Sequence, residues 1–164
     1  MFIRRPPALR GAHPTVIDGA ASMYFRPETG GLTLVGLEDG NPLGLSPDGD
    51  TDHALPGFVE RAVERICRRI PGMEHGELHG AHGGYDGITP DQHPILDQAG
   101  PEGFYLDCGF SGTGFKIAPA VGACMAELIV DGRATTADIA AFTLRRFAAG
   151  TPLEGAHPYE KIWR

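Results

Sequence analysis

Cysteine is scarce in this chain: Cys67, Cys108 and Cys124 are the only three, an odd number without C-x-x-C spacing. That argues against a disulfide framework and for reduced thiols in a cytoplasmic protein. Cys67 and Cys108 are expected to pack as small apolar side chains. Basic charge is also in short supply, with 14 Lys and Arg against 21 Asp and Glu, a formal net charge of −7. A nucleic-acid binder needs a basic face, so polyanion binding is disfavoured. No apolar run approaches the ~20 residues that span a bilayer. Arg4 and Arg5 near the start are followed by Pro6-Pro7 rather than an apolar stretch, so no secretory leader is read there.

What the chain has in abundance is glycine and proline, 24 and 14 of 164 residues, spread among apolar runs without a repeat. This is the composition of a turn-rich globular fold rather than of collagen or a low-complexity tract. Residues 1–15 read as an irregular lead-in or an edge strand. Ser22–Arg26 and Leu32–Leu37 are β-like, with Pro27-Glu28-Thr29-Gly30-Gly31 as a hairpin loop. Val59, Ala62, Val63, Ile66, Cys67 and Ile70 recur at helical spacing after Pro56, and Pro71-Gly72 ends that helix. Glu64 and Arg68 form a favourable pair one turn apart on its polar side. Short strands are expected over 77–82, 93–96 and 103–108. A helix is expected from about Ile117 to Val130 with Pro119 in its first turn, and a last short helix over 138–142.

Between the strand at 103–108 and that helix runs Gly109-Phe110-Ser111-Gly112-Thr113-Gly114-Phe115-Lys116. Strand, glycine turn and helix together bring a ligand close to backbone N–H groups that have no intrahelical acceptor, where the helix dipole favours an electron-rich oxygen. A phosphate loop is ruled out, because Gly114 is followed by Phe115 rather than by Lys and Ser or Thr. A dinucleotide fingerprint is ruled out as well, because Gly109, Gly112 and Gly114 give G-x-x-G-x-G rather than G-x-G-x-x-G. A plain tight turn that packs a helix remains open.

The run from Gly109 to Gly122 resembles the C-terminal signature of the D-amino-acid oxidase superfamily, and within it the sarcosine and dimethylglycine oxidoreductases. Three more stretches fit in the same order: Tyr24–Glu28 with Gly30-Gly31-Leu32, then Gly87–Ile95, then Gly103-Phe104-Tyr105. Together they span roughly residues 15–147. The resemblance implies an α+β chain. Residues 1–88 would form an antiparallel substrate-domain sheet with a helix, residues 89–147 would close an FAD-binding domain, and 148–164 would be a tail. It implies that Gly109, Ser111, Gly112, Thr113, Gly114, Phe115 and Lys116 lie at the pyrimidine end of FAD, with Gly84 nearby. It also implies that Lys116, Tyr24 and Arg26 face an amino-acid substrate, whose C–N bond is oxidised with hydride passing to flavin N5. No general base is assigned.

Where some family members carry a cysteine for covalent FAD attachment, Gly84 stands here, so noncovalent FAD is expected. No lysine occurs in Leu32–Leu37, where the monomeric oxidases place one that helps oxygen react, which favours a dehydrogenase. No G-x-G-x-x-G occurs at all. The chain is therefore expected to be a C-terminal portion that needs an N-terminal FAD-domain partner or self-associates, and a non-catalytic interaction subunit is the alternative. His75, His79 and His82 with Glu74 and Glu77 suggest a metal by spacing, but Gly76, Gly80, Gly83 and Gly84 break the helix that would align them, and no metal is assigned.

Overall fold

The computed structural model describes residues 1–155 apart from Arg10, Ala12, Asp50 and Thr51. They form two compact units, Met1–Tyr85 and a second beginning at Asp86.

The first unit is built on a five-stranded antiparallel sheet in the order β2-β3-β4-β1-β5. Its strands are β1 (Phe2–Arg4), β2 (Val16–Asp18), β3 (Met23–Glu28), β4 (Leu32–Leu37) and β5 (Glu77–Gly80). The alternation of β3 sends Met23 and Phe25 into the core and leaves Tyr24 and Arg26 on the other face. Helix α1 (Phe58–Arg69) covers the core face through Ala62 and Ile66, both fully buried, and Ile3, Val35, Leu37 and Met73 complete that core. Glu64 and Arg68 form their pair in solvent, at 2.5 Å. Cys67 is half-buried against the core.

The lead-in is not an edge. Ile3 pairs with Thr33 on one side and Leu78 on the other, so β1 lies inside the sheet. Three residues are enough because both neighbours are already fixed. The hairpin loop is shorter than expected: β3 runs through Pro27 to Glu28, and only Thr29-Gly30-Gly31 turn the chain, with Gly30 and Gly31 at φ of 68° and 76°. Pro27 is tolerated within a strand because β2 pairs no further along β3 than Phe25, which leaves that stretch as an edge. Pro56 precedes α1 in a turn closed by Phe58 N–H to Leu55 O (3.0 Å), with Gly57 at φ 74°.

The second unit holds a two-stranded antiparallel ribbon, β6 (Ile95–Gln98) and β7 (Tyr105–Cys108), and the 18-residue helix α2 (Gly114–Asp131). Leu96, Val121 and Met125 form its core, flanked by Tyr105, Phe110, Ile117 and Phe142. Gly132, at φ 73°, ends α2 as expected. Because α2 begins at Gly114, Pro119 sits in its body rather than its first turn, and the Phe115 carbonyl loses the donor that position would supply. No helix forms over 138–142. The Phe142 carbonyl instead accepts Leu96 N–H at 2.9 Å, drawing that segment onto β6, and the last helix is α3 (Arg145–Ala148). The tail expected over 148–164 is described only to residue 155. Cys124 is buried, but Cys108 is exposed where β7 leaves the ribbon. No described helix is long and apolar enough to cross a membrane.

Candidate functional site: a glycine loop at the start of a helix

The loop between β7 and α2 is held from below by Gly87–Thr89, a segment without regular secondary structure. Ser111 N–H donates to Gly87 O at 3.0 Å, and Thr89 N–H donates to Ser111 Oγ at 3.1 Å. Ser111 Oγ in turn donates toward Gly109 O (3.3 Å). Ser111 is 1% exposed and adopts φ 49°, a left-handed backbone unusual for a residue with a side chain. Its hydroxyl is therefore spent inside the loop. Gly109 has φ 71°, and a Cβ there would lie 2.5 Å from Thr89 Cγ2, so both conformation and space demand glycine. A Cβ on Gly114 would meet the Phe110 ring at 2.9 Å.

Thr113 stands at the N-cap position but does not cap. Its Oγ1 donates back to Phe110 O (2.7 Å), and its N–H goes to the same carbonyl (3.0 Å). The N–H groups of Gly114, Phe115 and Lys116 are thus left without an intrahelical acceptor, at the positive end of an 18-residue helix. Phe115 is 97% exposed, and Lys116 is exposed beside it. The Gly112 and Gly87 N–H groups face the Asp86 carboxylate. Desolvation beside the loop pushes that carboxyl up, against the downward pull of those two N–H groups.

The loop residues Gly109, Ser111, Gly112, Thr113, Gly114, Phe115 and Lys116 come together in the second unit. Gly84 belongs to the first unit, in an extended segment with open space where a Cβ would stand. Tyr24 and Arg26 are also in the first unit, neighbours on the sheet face turned away from α1. The Tyr24 ring lies over Gly36, its partner on β4, where a Cβ would fall 2.1 Å from Cζ. Burial raises its phenol above the ordinary value; Arg26 opposes this and Glu38 adds to it. Arg26 Nε donates to Glu28 Oε1 at 2.6 Å. His79 Nδ1 lies 3.4 Å from Arg4 Nη2, His82 packs on the Phe2 ring, and His75 is 3.7 Å from Glu74.

Asp86 and Thr89 were not singled out by their sequence alone. An aspartate and a threonine in a glycine-rich stretch look like ordinary turn residues, and only the fold brings Thr89 against Ser111, 22 positions away.

The glycine loop thus opens an uncapped helix in the second unit, and the antiparallel sheet belongs to the first. Residues 2–128 match the DAO family of FAD dependent oxidoreductases, and the chain belongs to that family. Its relatives are sarcosine-oxidase-like. It is 33% identical over 151 residues to sarcosine oxidase subunit beta of Rhizobium meliloti, covering 87% of this chain and 34% of that one. It is 31% identical over 150 residues to FAD-dependent oxidoreductase domain-containing protein 1 of Xenopus laevis, covering 85% of this chain. The chain spans 28% of that relative's length. The crystal structure of L-proline dehydrogenase from P. horikoshii superposes with a TM-score of 0.77 at 26% identity, over 91% of this chain and 38% of that one.

Proposed function

We propose that this chain supplies the flavin-ring end of an FAD-dependent oxidoreductase that oxidises the C–N bond of an amino acid or N-methyl amino acid. The observation that carries the proposal is the uncapped start of α2: Thr113 turns its hydroxyl back to Phe110, which leaves the first-turn N–H groups for an external acceptor. FAD, when bound, supplies the two-electron acceptor. The residues suit its pyrimidine end, where charge builds on reduction, because fixed N–H dipoles need no reorganisation to meet it. Ser111 shapes the loop, Gly112 to Phe115 present backbone to the ring, and Lys116 holds the substrate carboxylate. Tyr24 and Arg26 border the substrate, with Arg26 exchanging Glu28 for the incoming carboxylate. Gly84 carries no thiol, so the cofactor is held noncovalently in this reading.

A second reading is an interaction subunit with no activity of its own, and the outer face of α2 favours it. Phe115, Ile129 and Val130 are 97%, 52% and 79% exposed. So much exposed apolar surface on one helix calls for a cover, and the rest of the family fold would provide one.

One titration separates the two. The purified chain is mixed with FAD, alone and together with a polypeptide carrying the dinucleotide-binding part of the fold, and flavin absorbance and fluorescence are followed. Binding that needs the second polypeptide and brings amino-acid oxidation supports the flavin-ring assignment. Stable association with no gain of flavin supports the subunit reading. Lys116→Met raises KM for the amino acid and spares FAD binding if Lys116 holds the carboxylate.

A further inference from the structure

Arg5 is a buried cation with no counter-ion among the described residues. It is 8% exposed, and its backbone N–H is fixed by Gly31 O at 2.9 Å. One guanidinium nitrogen, Nη1, serves both Leu32 O and Thr33 Oγ1, the latter at 3.0 Å. Nε is buried with no acceptor, Nη2 has none among the described residues, and no described carboxylate pairs with the group. A guanidinium only 8% exposed, with Nε buried and idle, is costly to keep, and Nη2 is the unpaired donor that still reaches solvent and can meet an anion.

Beside it lies a cavity of about 250 Å³ whose wall includes Arg5, Ala8, Leu9, His13, Ile70 and Met73. His13 is tied to its neighbours through both ring nitrogens. Its Nδ1 is 2.9 Å from Pro14 O and its Nε2 2.8 Å from Thr33 Oγ1. Thr33 Oγ1 thus links the His13 ring to the Arg5 guanidinium. Among the described residues, the wall sets the Arg5 guanidinium against four aliphatic or thioether side chains.

We propose that this cavity is a binding site for a small aliphatic carboxylate, its charge on Arg5 and its hydrocarbon body against Leu9, Ile70 and Met73. The volume is below that of a drug-sized pocket, which fits a body of a few carbons. An acidic side chain from a partner protein would share the carboxylate chemistry, but it would bring peptide groups against the apolar wall. The site lies wholly in the first unit and does not depend on the flavin assignment.

The test is thermal unfolding and calorimetric titration of the full chain with isovalerate, with the neutral isostere isovaleramide, and with acetyl-Ala-Glu-Ala-amide. The expected result is a saturable rise in Tm with isovalerate alone. Arg5→Met, which keeps the apolar bulk, weakens that binding at least ten-fold. Ala8→Phe fills the cavity and abolishes binding while leaving Arg5 in place, so it decides the question if Arg5→Met fails to fold. Equal binding of the amide, or isovalerate binding that survives Ala8→Phe, overturns the proposal. Binding of the acidic peptide in place of isovalerate overturns it in favour of a partner's side chain.

Discussion

Arg146 and Asp91, 55 residues apart, form a two-pronged ion pair in the interior of the second unit. Nε meets Oδ2 at 2.6 Å and Nη2 meets Oδ1 at 3.0 Å, with side-chain exposures of 3% and 1%. The remaining bonding capacity is also used. Arg146 donates to the carbonyls of His93 and Thr143, and Asp91 accepts the N–H groups of His93 and Leu153. The pair therefore fastens α3 and the segment beyond it to the turn that precedes β6.

Removing one partner leaves a buried charge alone, which costs about 3–5 kcal/mol. Arg146→Met is expected to lose that much in urea unfolding at neutral pH, and adding Asp91→Asn to recover part of it. The pH dependence gives a sharper check. Burial pushes the Asp91 carboxyl up, but Arg146 and the two N–H groups pull it further down, so it stays well below the usual range. A depressed carboxyl gives stability that is complete above its unfolded value, about 3.9, and drains away as the pH falls toward the folded value. In Arg146→Met only the His93 and Leu153 N–H groups still oppose burial, so the folded value rises and the loss of stability toward low pH shrinks. Urea midpoints between roughly pH 3 and 6 should therefore rise less steeply with pH in Arg146→Met than in the unaltered chain; parallel slopes would show that the pair is not what sets the Asp91 carboxyl.

Gly36 is glycine because Tyr24 occupies its side-chain space. Gly36→Ala puts a methyl where the Tyr24 ring now lies, 2.1 Å from Cζ. Overpacking of this kind costs about 1–3 kcal/mol. Most of the loss should vanish in a Tyr24→Ala background, and a double-mutant cycle on urea midpoints measures that coupling. If the two changes simply add, the ring is free to swing away and Gly36 is not reserved for it.

How much of this was legible beforehand follows from how local each feature is. The amphipathic face of α1 and the Glu64–Arg68 pair follow from spacing within one helix, and both appear as read. The glycine loop and Gly132 stop carry their signal in adjacent residues. The placement of β1 inside the sheet could not be read from three residues, because it depends on pairing with Thr33 and Leu78. Nor could the start of α2 at Gly114, since Pro119 gave a stronger local cue for a first turn than the glycines did. Asp91 and Arg146 look like surface charges until the fold brings them together, and Thr89 like a turn residue until it meets Ser111. Cys108, expected inside, is exposed at the last position of β7, and a short strand's sequence does not show which of its ends is covered.

Ser111 carries two separable demands, its hydroxyl and its backbone. Ser111→Ala removes the acceptor for Thr89 N–H, a buried donor, at a cost of about 1–3 kcal/mol. It also keeps a Cβ at φ 49°. Ser111→Gly loses the same hydroxyl but relaxes the left-handed backbone, so it should be the milder change despite the smaller side chain. Amide exchange at Thr89 should accelerate in both variants. If Gly proves worse than Ala, unfolded-state entropy outweighs the strain, and the positive φ is not costly here.

Glu127 organises the turn after α2 from a half-buried position at the helix surface. Its Oε2 accepts Thr135 N–H at 2.5 Å and Thr136 N–H at 2.8 Å, and its Oε1 accepts the Thr136 hydroxyl at 2.7 Å. The Thr135 N–H first, then the Thr136 hydroxyl and N–H, lower its carboxyl to about 2. The sign is that of a depressed acid: the turn is fully held above the ordinary glutamate value, about 4.3, and is released as pH falls through the lowered value. Carboxyl-carbon NMR should therefore give Glu127 a midpoint near 2 rather than near the ordinary value. Thr136→Val removes the hydroxyl donor alone, so the midpoint should rise but stay below that of a free glutamate, because both backbone donors remain. An ordinary midpoint in the unaltered chain would mean that water competes successfully for this carboxylate, and that the turn after α2 is held by its backbone alone.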